Sequence, residues 1–413
     1  KSMFSKTAIY TLRHRNFRLF WLGHFISRIG SEMQVVAIIW HIYLLTNSPF
    51  ALGLIGLSRF LPLIFFSLIG GISSDIISRK KIIFLAQIIM TLSTFILVIT
   101  THNQTTTPLT IYLVLGLLSL ASAFDTPARQ SLIPHLVPKG EFVKAVSLNS
   151  IMWHTAVLVG PSLAGFTIAF WGVETVYLIN ALTFFAVICA LLLMDPLKKV
   201  SPIIVQFKLD SLKEGLSFVF RTPIISSTMF IDFFATFFSS ATVLLPIFAK
   251  DILKVGPQGL GFLYAAPAIG SILASLFISH TQNLRNQGKI LIFSVIVYGL
   301  ATIFFGLSRS YLASLLFMGL AGVGDGISSI IRSTVRQVVT PDHLRGRMVS
   351  INQIFFFGGP QLGEVEAGIV AGLIGSPLAV ITGGIATILV TAFIAYLTPT
   401  LRKYQGHETV PIV

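Results

Sequence analysis

Apolar stretches long enough to cross a bilayer recur along nearly the whole chain. Crossing the hydrocarbon core takes about 20 mostly apolar residues in a helix. Of the 413 residues, 54% are hydrophobic and 11% are charged, whereas a soluble domain carries about 25% charged residues. This pattern predicts an all-α membrane protein.

Twelve such stretches fit, and little of the chain is left over. The first is too long and too often interrupted by polar residues for a cleaved signal peptide, so we expect it to be a transmembrane helix. The predicted transmembrane helices are residues 17–46, 50–73, 82–101, 109–131, 146–171, 175–194, 223–249, 258–280, 289–308, 311–331, 349–371 and 377–398.

The longest loop divides the twelve predicted helices into six and six. We therefore predict an N-terminal six-helix bundle at 1–194, a cytoplasmic linker at 195–222 and a C-terminal six-helix bundle at 223–413. Within the linker, residues 212–221 have the apolar spacing of an amphipathic helix, which predicts a helix at the membrane interface.

A weak internal repeat supports this division. Pro138 followed by Val-Ser-Leu-Asn at 146–149 recurs as Pro341 followed by Val-Ser-Ile-Asn at 349–352. Parallel repeats of six helices, related by an axis along the membrane normal, are typical of one large class of transporters. The sequence therefore predicts two bundles related by pseudo-two-fold symmetry, with a solute site near the midplane between them.

Basic residues are distributed unequally between the two sides of this topology. Of the Lys and Arg residues outside the predicted helices' midregions, 24 fall on one side, Arg332 and Arg336 among them, and three fall on the other. Because cytoplasmic loops hold the excess of Lys and Arg, both termini are predicted to be cytoplasmic in a plasma (inner) membrane protein. Anionic inner-leaflet lipid accounts for the net charge of +14, so we expect no nucleic-acid partner.

The loop after the second predicted helix contains Gly71, Asp75 and Arg79, followed by two lysines. It resembles the signature loop of the major facilitator superfamily. Gly71 is expected to permit close helix approach. The resemblance implies that Asp75 acts in gating by pairing with a basic residue at the cytoplasmic end of the fourth helix, where Arg129 stands, four residues after Asp125. The alternative is that the basic cluster only satisfies the positive-inside bias.

A closer resemblance covers nearly the whole chain. The stretches that carry it are residues 125–130, 160–165, 260–267 and 360–368. They resemble the exporter branch that holds enterobactin exporters and macrolide efflux proteins. The resemblance implies proton-driven export of a siderophore or a similar anionic amphiphile, with Gly160 and Pro161 in the antiporter motif of the fifth helix. Ala164 replaces the second glycine of that motif. Multidrug or macrolide efflux and siderophore uptake stay open as alternatives.

Ionisable residues within predicted transmembrane helices are costly, so each is a functional candidate. His24, Arg28 and Glu32 are spaced by four and share one face of the first helix. Our hypothesis is that Arg28 binds an anionic group of the solute while Glu32 carries an exchangeable proton; the alternative is an ion pair that only braces helix packing. Arg59 is either a cavity cation or a side chain that reaches the outer interface.

Other polar residues in the predicted helices are weaker candidates. Asp232, Asp325 and Glu364 could couple protons, and Asp325 stands at the repeat-related position of Asp125. Glu364 and Glu366 are two residues apart and cannot share a helical face, so which one faces a cavity is left open. Four aromatic and imidazole side chains could contact the solute. The alternative is that they anchor their helices at the membrane interface. These are Trp40, His41, Trp153 and His154.

The sequence lacks the short motifs that are typical of several kinds of enzyme and nucleotide-binding protein. No nucleotide-binding G-x-x-x-x-G-K-[ST] motif occurs, so transport is expected to be driven by an ion gradient. No G-x-S-x-G or H-E-x-x-H motif occurs, which argues against an enzyme. Cys189 is the single cysteine, which excludes a disulfide within the chain. We expect a monomer in the lipid bilayer with a small-molecule substrate and protons as partners, and no cofactor or metal.

Overall fold

The computed structural model describes residues 10–196, 209–281, 284–341 and 344–406. Within these ranges the side chains at 68, 72, 74, 75, 139, 209–213, 241 and 346 are outside the described part. The regular elements of the described ranges are all helical. The continuous helical stretch Phe142–Leu193 is broken at Gly172, whose φ of +80° is not helical, so it is two helices.

The main helices are numbered in chain order. They are α1 (Arg15–Thr46), α2 (Pro49–Ile76), α3 (Arg79–His102), α4 (Pro108–Leu132), α5 (142–171), α6 (173–193), α7 (Leu209–Arg221), α8 (Pro223–Phe238), α9 (Gly256–His280), α10 (Gln287–Leu307), α11 (Tyr311–Val339), α12 (Arg345–Ile374), α13 (Ser376–Leu397) and α14 (Pro399–Lys403).

Twelve of these segments cross a membrane. Ten helices of the described part are long and apolar enough to cross a membrane, with Phe142–Leu193 counted as one helix. Dividing that stretch at Gly172 adds one helix. The 30-residue α12, whose charged residues include Glu364 and Glu366, adds another. The predicted fold class, an all-α membrane protein with twelve transmembrane helices, is confirmed.

The chain divides into two compact units. Unit 1 comprises Lys1–Asn47, Ser58–Val205 and Gly256–Gly261; unit 2 comprises Ser48–Leu57, Gln206–Val255 and Phe262–Val413. The exact bundle boundaries given above stay predictions, and residues 197–208 of the predicted linker lie outside the described ranges. The predicted amphipathic segment of the linker forms α7, where Val219 is buried and Glu214 pairs with Arg347 of α12.

The seventh transmembrane segment is not the continuous helix that hydropathy predicts. After α8 the chain forms a 3-10 turn, a single α-helical turn and a π-helical turn, which are Ala241–Leu244, Leu245–Ile247 and Phe248–Ile252. Backbone groups released inside a membrane need other partners. At this break the Ser240 hydroxyl donates to the Pro360 carbonyl at 3.0 Å, and the Tyr298 hydroxyl donates to the Ser239 carbonyl at 3.3 Å.

The first described turn of the chain, Tyr10–Arg13, is tied to Glu141 in unit 1. Arg13 Nη2 lies 2.8 Å and His14 Nε2 lies 3.2 Å from the Glu141 carboxylate. Burial raises the pKa of the Glu141 carboxyl, but the hydrogen bond from His14 and the charge of Arg13 outweigh it, so the pKa lies below its usual value of 4.5.

This lowered pKa sets a testable pH dependence. A carboxyl whose pKa is lower in the folded state stabilises that state above its usual pKa, and the contribution is lost as pH falls through the folded-state pKa. We expect Glu141→Gln to raise hydrogen exchange at residues 10–14 near pH 7, with the difference from wild type vanishing in acid. Equal protection of the two proteins near pH 7 would show that the carboxylate does not hold this turn.

Candidate functional site

A polar cavity of about 210 Å³ lies inside unit 1, lined by α1, α2, α3, α4 and α6. A cavity of about 150 Å³ accepts benzene, whereas pockets for drug-sized ligands begin near 300 Å³. The cavity therefore suits one ring or head group of a larger solute. Its charged and titratable lining residues are His24, Arg28, Arg59, Asp125 and Arg129.

The predicted pair on α1 forms. Arg28 Nη2 lies 2.5 Å from Glu32 Oε1, as the i,i+4 spacing on one helical face requires. Arg28 Nε is buried and has no hydrogen-bond partner among the described residues, so this guanidinium retains a donor. The Arg28 guanidinium also lies 6.0 Å from the Trp153 ring centre, at the outer limit of a cation–π contact.

Gly160 of α5 allows α1, the helix that carries Arg28 and Glu32, to pack closely against α5. A Cβ built on Gly160 would lie 2.5 Å from Glu32 Cβ and 3.1 Å from the Ile29 carbonyl oxygen. Any larger residue must therefore push α1 and α5 apart. Pro161, the next residue, is also buried in α5. The structure thus gives a packing reason for glycine at this position.

We expect Gly160→Ala to lower transport and to destabilise the protein by about 1–3 kcal/mol, because overpacking displaces the helix that carries Glu32. Thermal unfolding and solute flux in proteoliposomes measure both effects. Gly140→Ala is the matched control, since a Cβ there meets no atom within 4 Å. Equal behaviour of the two variants would contradict the packing role of Gly160.

A second buried ion pair lies in the cavity wall on α4. Arg129 Nη2 is 2.6 Å from Asp125 Oδ2, and Gln87 of α3 donates from Nε2 to Asp125 Oδ1 at 3.2 Å. Asp125 is almost fully buried. The side chain of Asp75 lies outside the described part, so its pairing with Arg129 and its gating role stay predictions.

The signature loop is tightly packed at a glycine other than the one expected. A Cβ at Gly71 would meet no atom of the described part within 4 Å, whereas one at Gly70 would collide with the backbone of Ala123 in α4. The close approach of α2 and α4 therefore depends on Gly70, and the expectation for Gly71 is wrong. Arg79, at the start of α3, is partly buried.

Uncharged polar residues in the same unit escaped the sequence analysis. Asn180 Nδ2 donates to Gln34 Oε1 at 2.5 Å, and Thr94 Oγ1 donates to the same oxygen at 3.4 Å. Gln34 and Asn180 line the cavity. An amide left unpaired inside a transmembrane helix is costly, so the presence of Gln34 and Asn180 in apolar stretches was the available signal.

The other predicted substrate-binding residues lie elsewhere in unit 1. Trp40 and His41 are buried in α1 and are not among the lining residues of the described cavity. His41 Nδ1 lies 3.1 Å from the Tyr177 hydroxyl. Trp153 and His154 are exposed on α5, with ring centres 5.1 Å apart. Solute contact by these four residues stays a prediction, whereas Arg28 and Arg59 line the cavity.

Unit 2 contains its own buried ionic cluster, on α8 and α11. Arg332 Nη2 lies 3.0 Å from Asp232 Oδ1 and 3.3 Å from Asp325 Oδ1. Arg336 Nη1 lies 3.2 Å from Asp232 Oδ2. Two aspartates thus balance two arginines. Asp232 is 3% exposed, whereas the Asp325 side chain is 41% exposed. Glu364 is buried on α12.

The placement of Arg332 and Arg336 corrects the sequence analysis, which put both in a cytoplasmic loop. Helix α11 continues to Val339, and the two residues are 1% and 7% exposed inside it. Asp232 offsets their charge, which lets the helix extend beyond the predicted end at residue 331. Arg332 also donates to the Ser328 hydroxyl at 2.7 Å, and Arg336 donates to Asn352. The basic excess on that side falls by two residues and keeps its sign.

A phenylalanine cluster follows one face of α8, a feature that the sequence analysis did not single out. Neighbouring rings along α8 have centres between 5.0 and 6.4 Å apart, and Phe355 of α12 contacts two of them edge-on. The phenylalanines recur at intervals of three and four residues, and this spacing in the sequence could have revealed the cluster. The rings on α8 are Phe230, Phe233, Phe234, Phe237 and Phe238.

Comparisons with known proteins agree with this architecture. The family model described as "Transmembrane secretion effector" matches residues 6–412. The enterobactin exporter EntS of Shigella boydii serotype 18 is 24% identical over 405 residues, covering 97% of this chain and 95% of that protein. The EntS proteins of several Escherichia coli strains match over the same length with the same identity.

Solved transporter structures share the fold. A bacterial homologue of the human lysosomal transporter Spinster, in an inward-facing and occupied conformation, has a TM-score of 0.74 at 14% identity, covering 94% of this chain and 97% of that one. The nucleoside transporter NupG has a TM-score of 0.68 at 16% identity, covering 94% and 99%. The chain is a multi-pass membrane transporter of a small molecule rather than an enzyme. It belongs to the transmembrane secretion effector family, within the major facilitator superfamily.

Proposed function

We propose that this transporter exports an anionic amphiphile of the siderophore type, driven by protons that move inward. The observation that carries the proposal is the cavity in unit 1, where Arg28 offers a guanidinium and is paired with the Glu32 carboxylate. The full-length match to enterobactin exporters supports the direction and the class of solute.

The composition of the cavity wall favours an anion over a broad range of apolar drugs. Three of its lining residues are arginines, Asp125 is the single carboxylate, and Phe184 is the single aromatic residue in the described lining. A planar guanidinium binds carboxylates and similar groups through two parallel hydrogen bonds. Stacking on many aromatic faces, which a multidrug cavity would use, is not what this wall provides.

The Arg28–Glu32 pair links anion binding to protonation, with a definite sign. An anion on Arg28 competes with Glu32 for the same guanidinium, so anion binding favours the protonated form of Glu32. Linkage is reciprocal, so protonation of Glu32 strengthens anion binding. This pair alone would therefore carry the proton and the anion in the same direction.

Export driven by inward protons requires a second proton carrier away from Arg28. Asp325 fits this role, because its side chain is partly exposed and its ion-pair partner Arg332 also contacts Asp232. Protonation of Asp325 leaves the Arg332–Asp232 pair in place. We assign the exchanged proton to the Asp232–Asp325 cluster and the adjustment of anion affinity to Glu32.

The proposed topology follows from the charge distribution. The basic excess that remains after Arg332 and Arg336 are removed supports cytoplasmic termini in an inner-membrane protein. In this orientation α1 and α4 carry the cavity residues from midmembrane toward the cytoplasmic end. A solute entering from the cytoplasm would then meet the Asp125–Arg129 pair before Arg28.

Uptake into inverted membrane vesicles with an imposed pH gradient tests the proposal. We expect accumulation of a catecholate or carboxylate siderophore, and loss of that accumulation in Arg28→Met. Arg15→Met, which removes an exposed arginine paired with Asp195, is the matched control. Equal accumulation of a macrolide would move the assignment to multidrug efflux, and accumulation only in right-side-out vesicles would reverse the direction.

A further inference from the structure

We infer that the cavity of unit 1 contains a second subsite, formed by His24 and Gln87, which accepts a hydroxyl group of the solute. The inference rests on the proposed function, since it concerns the same solute. It adds that the solute carries, besides its anionic group, a hydroxyl group at a defined distance from that group. Both residues line the cavity and are 3% exposed.

His24 contributes a hydrogen-bond acceptor to the wall of the cavity. Its Nδ1 lies 3.0 Å from the Phe20 carbonyl oxygen, and because a carbonyl oxygen only accepts, Nδ1 must carry the hydrogen. In the neutral ring, Nε2 is then an acceptor. This atom is buried and has no hydrogen-bond partner among the described residues.

Gln87 presents a second acceptor. Its amide nitrogen faces Asp125 Oδ1 at 3.2 Å, and since Asp125 is paired with Arg129 and its oxygens accept, the NH₂ group must be on that side. The amide oxygen therefore points elsewhere. It is likewise buried and without a hydrogen-bond partner in the described part.

Two buried acceptors without donors in one cavity call for a ligand that supplies them, because buried polar groups left unpaired are costly. The charge of the wall selects the type of donor. Arg28, Arg59 and Arg129 outnumber the two carboxylates that pair with them, Glu32 and Asp125, so the surroundings of the described cavity disfavour an ammonium group. A neutral hydroxyl donor carries no such cost, so the subsite fits a phenol or an alcohol.

The distance between the two subsites follows from helix geometry. His24 and Arg28 are four residues apart on one face of α1, which corresponds to a rise of about 6 Å. In 3,4-dihydroxybenzoate the carboxylate and the para hydroxyl are separated by a similar length on one ring, and one ring matches the size of the cavity. The compound 3,4-dimethoxybenzoate keeps the anion and removes the donors.

Binding of these two compounds to the purified protein in nanodiscs tests the inference. We expect the wild type to bind the dihydroxy compound about tenfold more tightly, the effect of one well-made hydrogen bond. In the double variant His24→Phe with Gln87→Leu the preference should fall to within about twofold, because both acceptors are gone. Ile83→Val, a buried substitution one turn from Gln87 and outside the cavity lining, should retain the preference.

Each other outcome overturns the subsite. Equal wild-type affinities, or no binding of the dihydroxy compound, would show that no donor is recognised; this comparison needs no variant to fold. A preference that survives in the double variant would assign it to the bulk of the methoxy groups. This experiment does not measure proton coupling. If the dimethoxy compound binds as tightly as the dihydroxy compound, the subsite is wrong, but the anion site of the proposed function is unaffected.

Discussion

Asp232→Asn is expected to destabilise the protein by about 3–5 kcal/mol, the cost of removing one partner from a buried ion pair. The reason is specific to this cluster. Asp232 contacts both Arg332 and Arg336, so its loss leaves two buried guanidiniums with Asp325 as the remaining carboxylate of the described cluster. We also expect transport to be lost.

Unfolding of purified variants in lipid nanodiscs measures this effect. The control is Asp195→Asn, because Asp195 pairs with Arg15 at an exposed position and such pairs contribute about 0–1 kcal/mol. Adding Arg336→Gln to Asp232→Asn removes one of the uncompensated charges and should restore part of the stability. If Asp232→Asn is no less stable than Asp195→Asn, the cluster does not hold α8 against α11.

Glu32→Gln is expected to abolish the pH dependence of solute binding. In the wild type, affinity for an anionic solute should rise as pH falls, by at most about tenfold per pH unit for one linked proton. Glutamine imitates the protonated carboxyl and frees Arg28 at every pH. The variant should therefore bind as tightly at neutral pH as the wild type does in acid.

The matched control for this experiment is Glu174→Gln, which removes a carboxylate that pairs with His102 outside the cavity. Solute affinity is measured between pH 5 and pH 8 for all three proteins. A Glu32→Gln variant whose affinity still varies with pH as in the wild type would remove Glu32 from the coupling scheme.

Hydropathy and local spacing account for what the sequence could predict. Eleven of the twelve predicted helices run through their expected stretches because about 20 apolar residues have few alternatives in a bilayer. The Arg28–Glu32 pair was predictable for a similar reason, since four residues on one helix fix the distance between two side chains. Both inferences depend only on residues that are close to one another in the sequence.

The features that sequence did not predict depend on contacts between distant residues. Arg332 and Arg336 were assigned to a loop because nothing near them in sequence reveals Asp232, about 100 positions away, as their counter-charge. The end of α8 at Phe238 is equally hidden, since the hydroxyl that donates to the Ser239 carbonyl belongs to Tyr298 of α10. Pairing of the amides Gln34 and Asn180 has the same origin.

The most direct test of proton-coupled export is the internal pH of proteoliposomes while a catecholate siderophore flows down its own concentration gradient. With the siderophore leaving the lumen and no other gradient imposed, the account predicts that protons enter and the lumen becomes acidic. Protons that leave together with the siderophore, or an internal pH that does not change while the siderophore crosses, would contradict it.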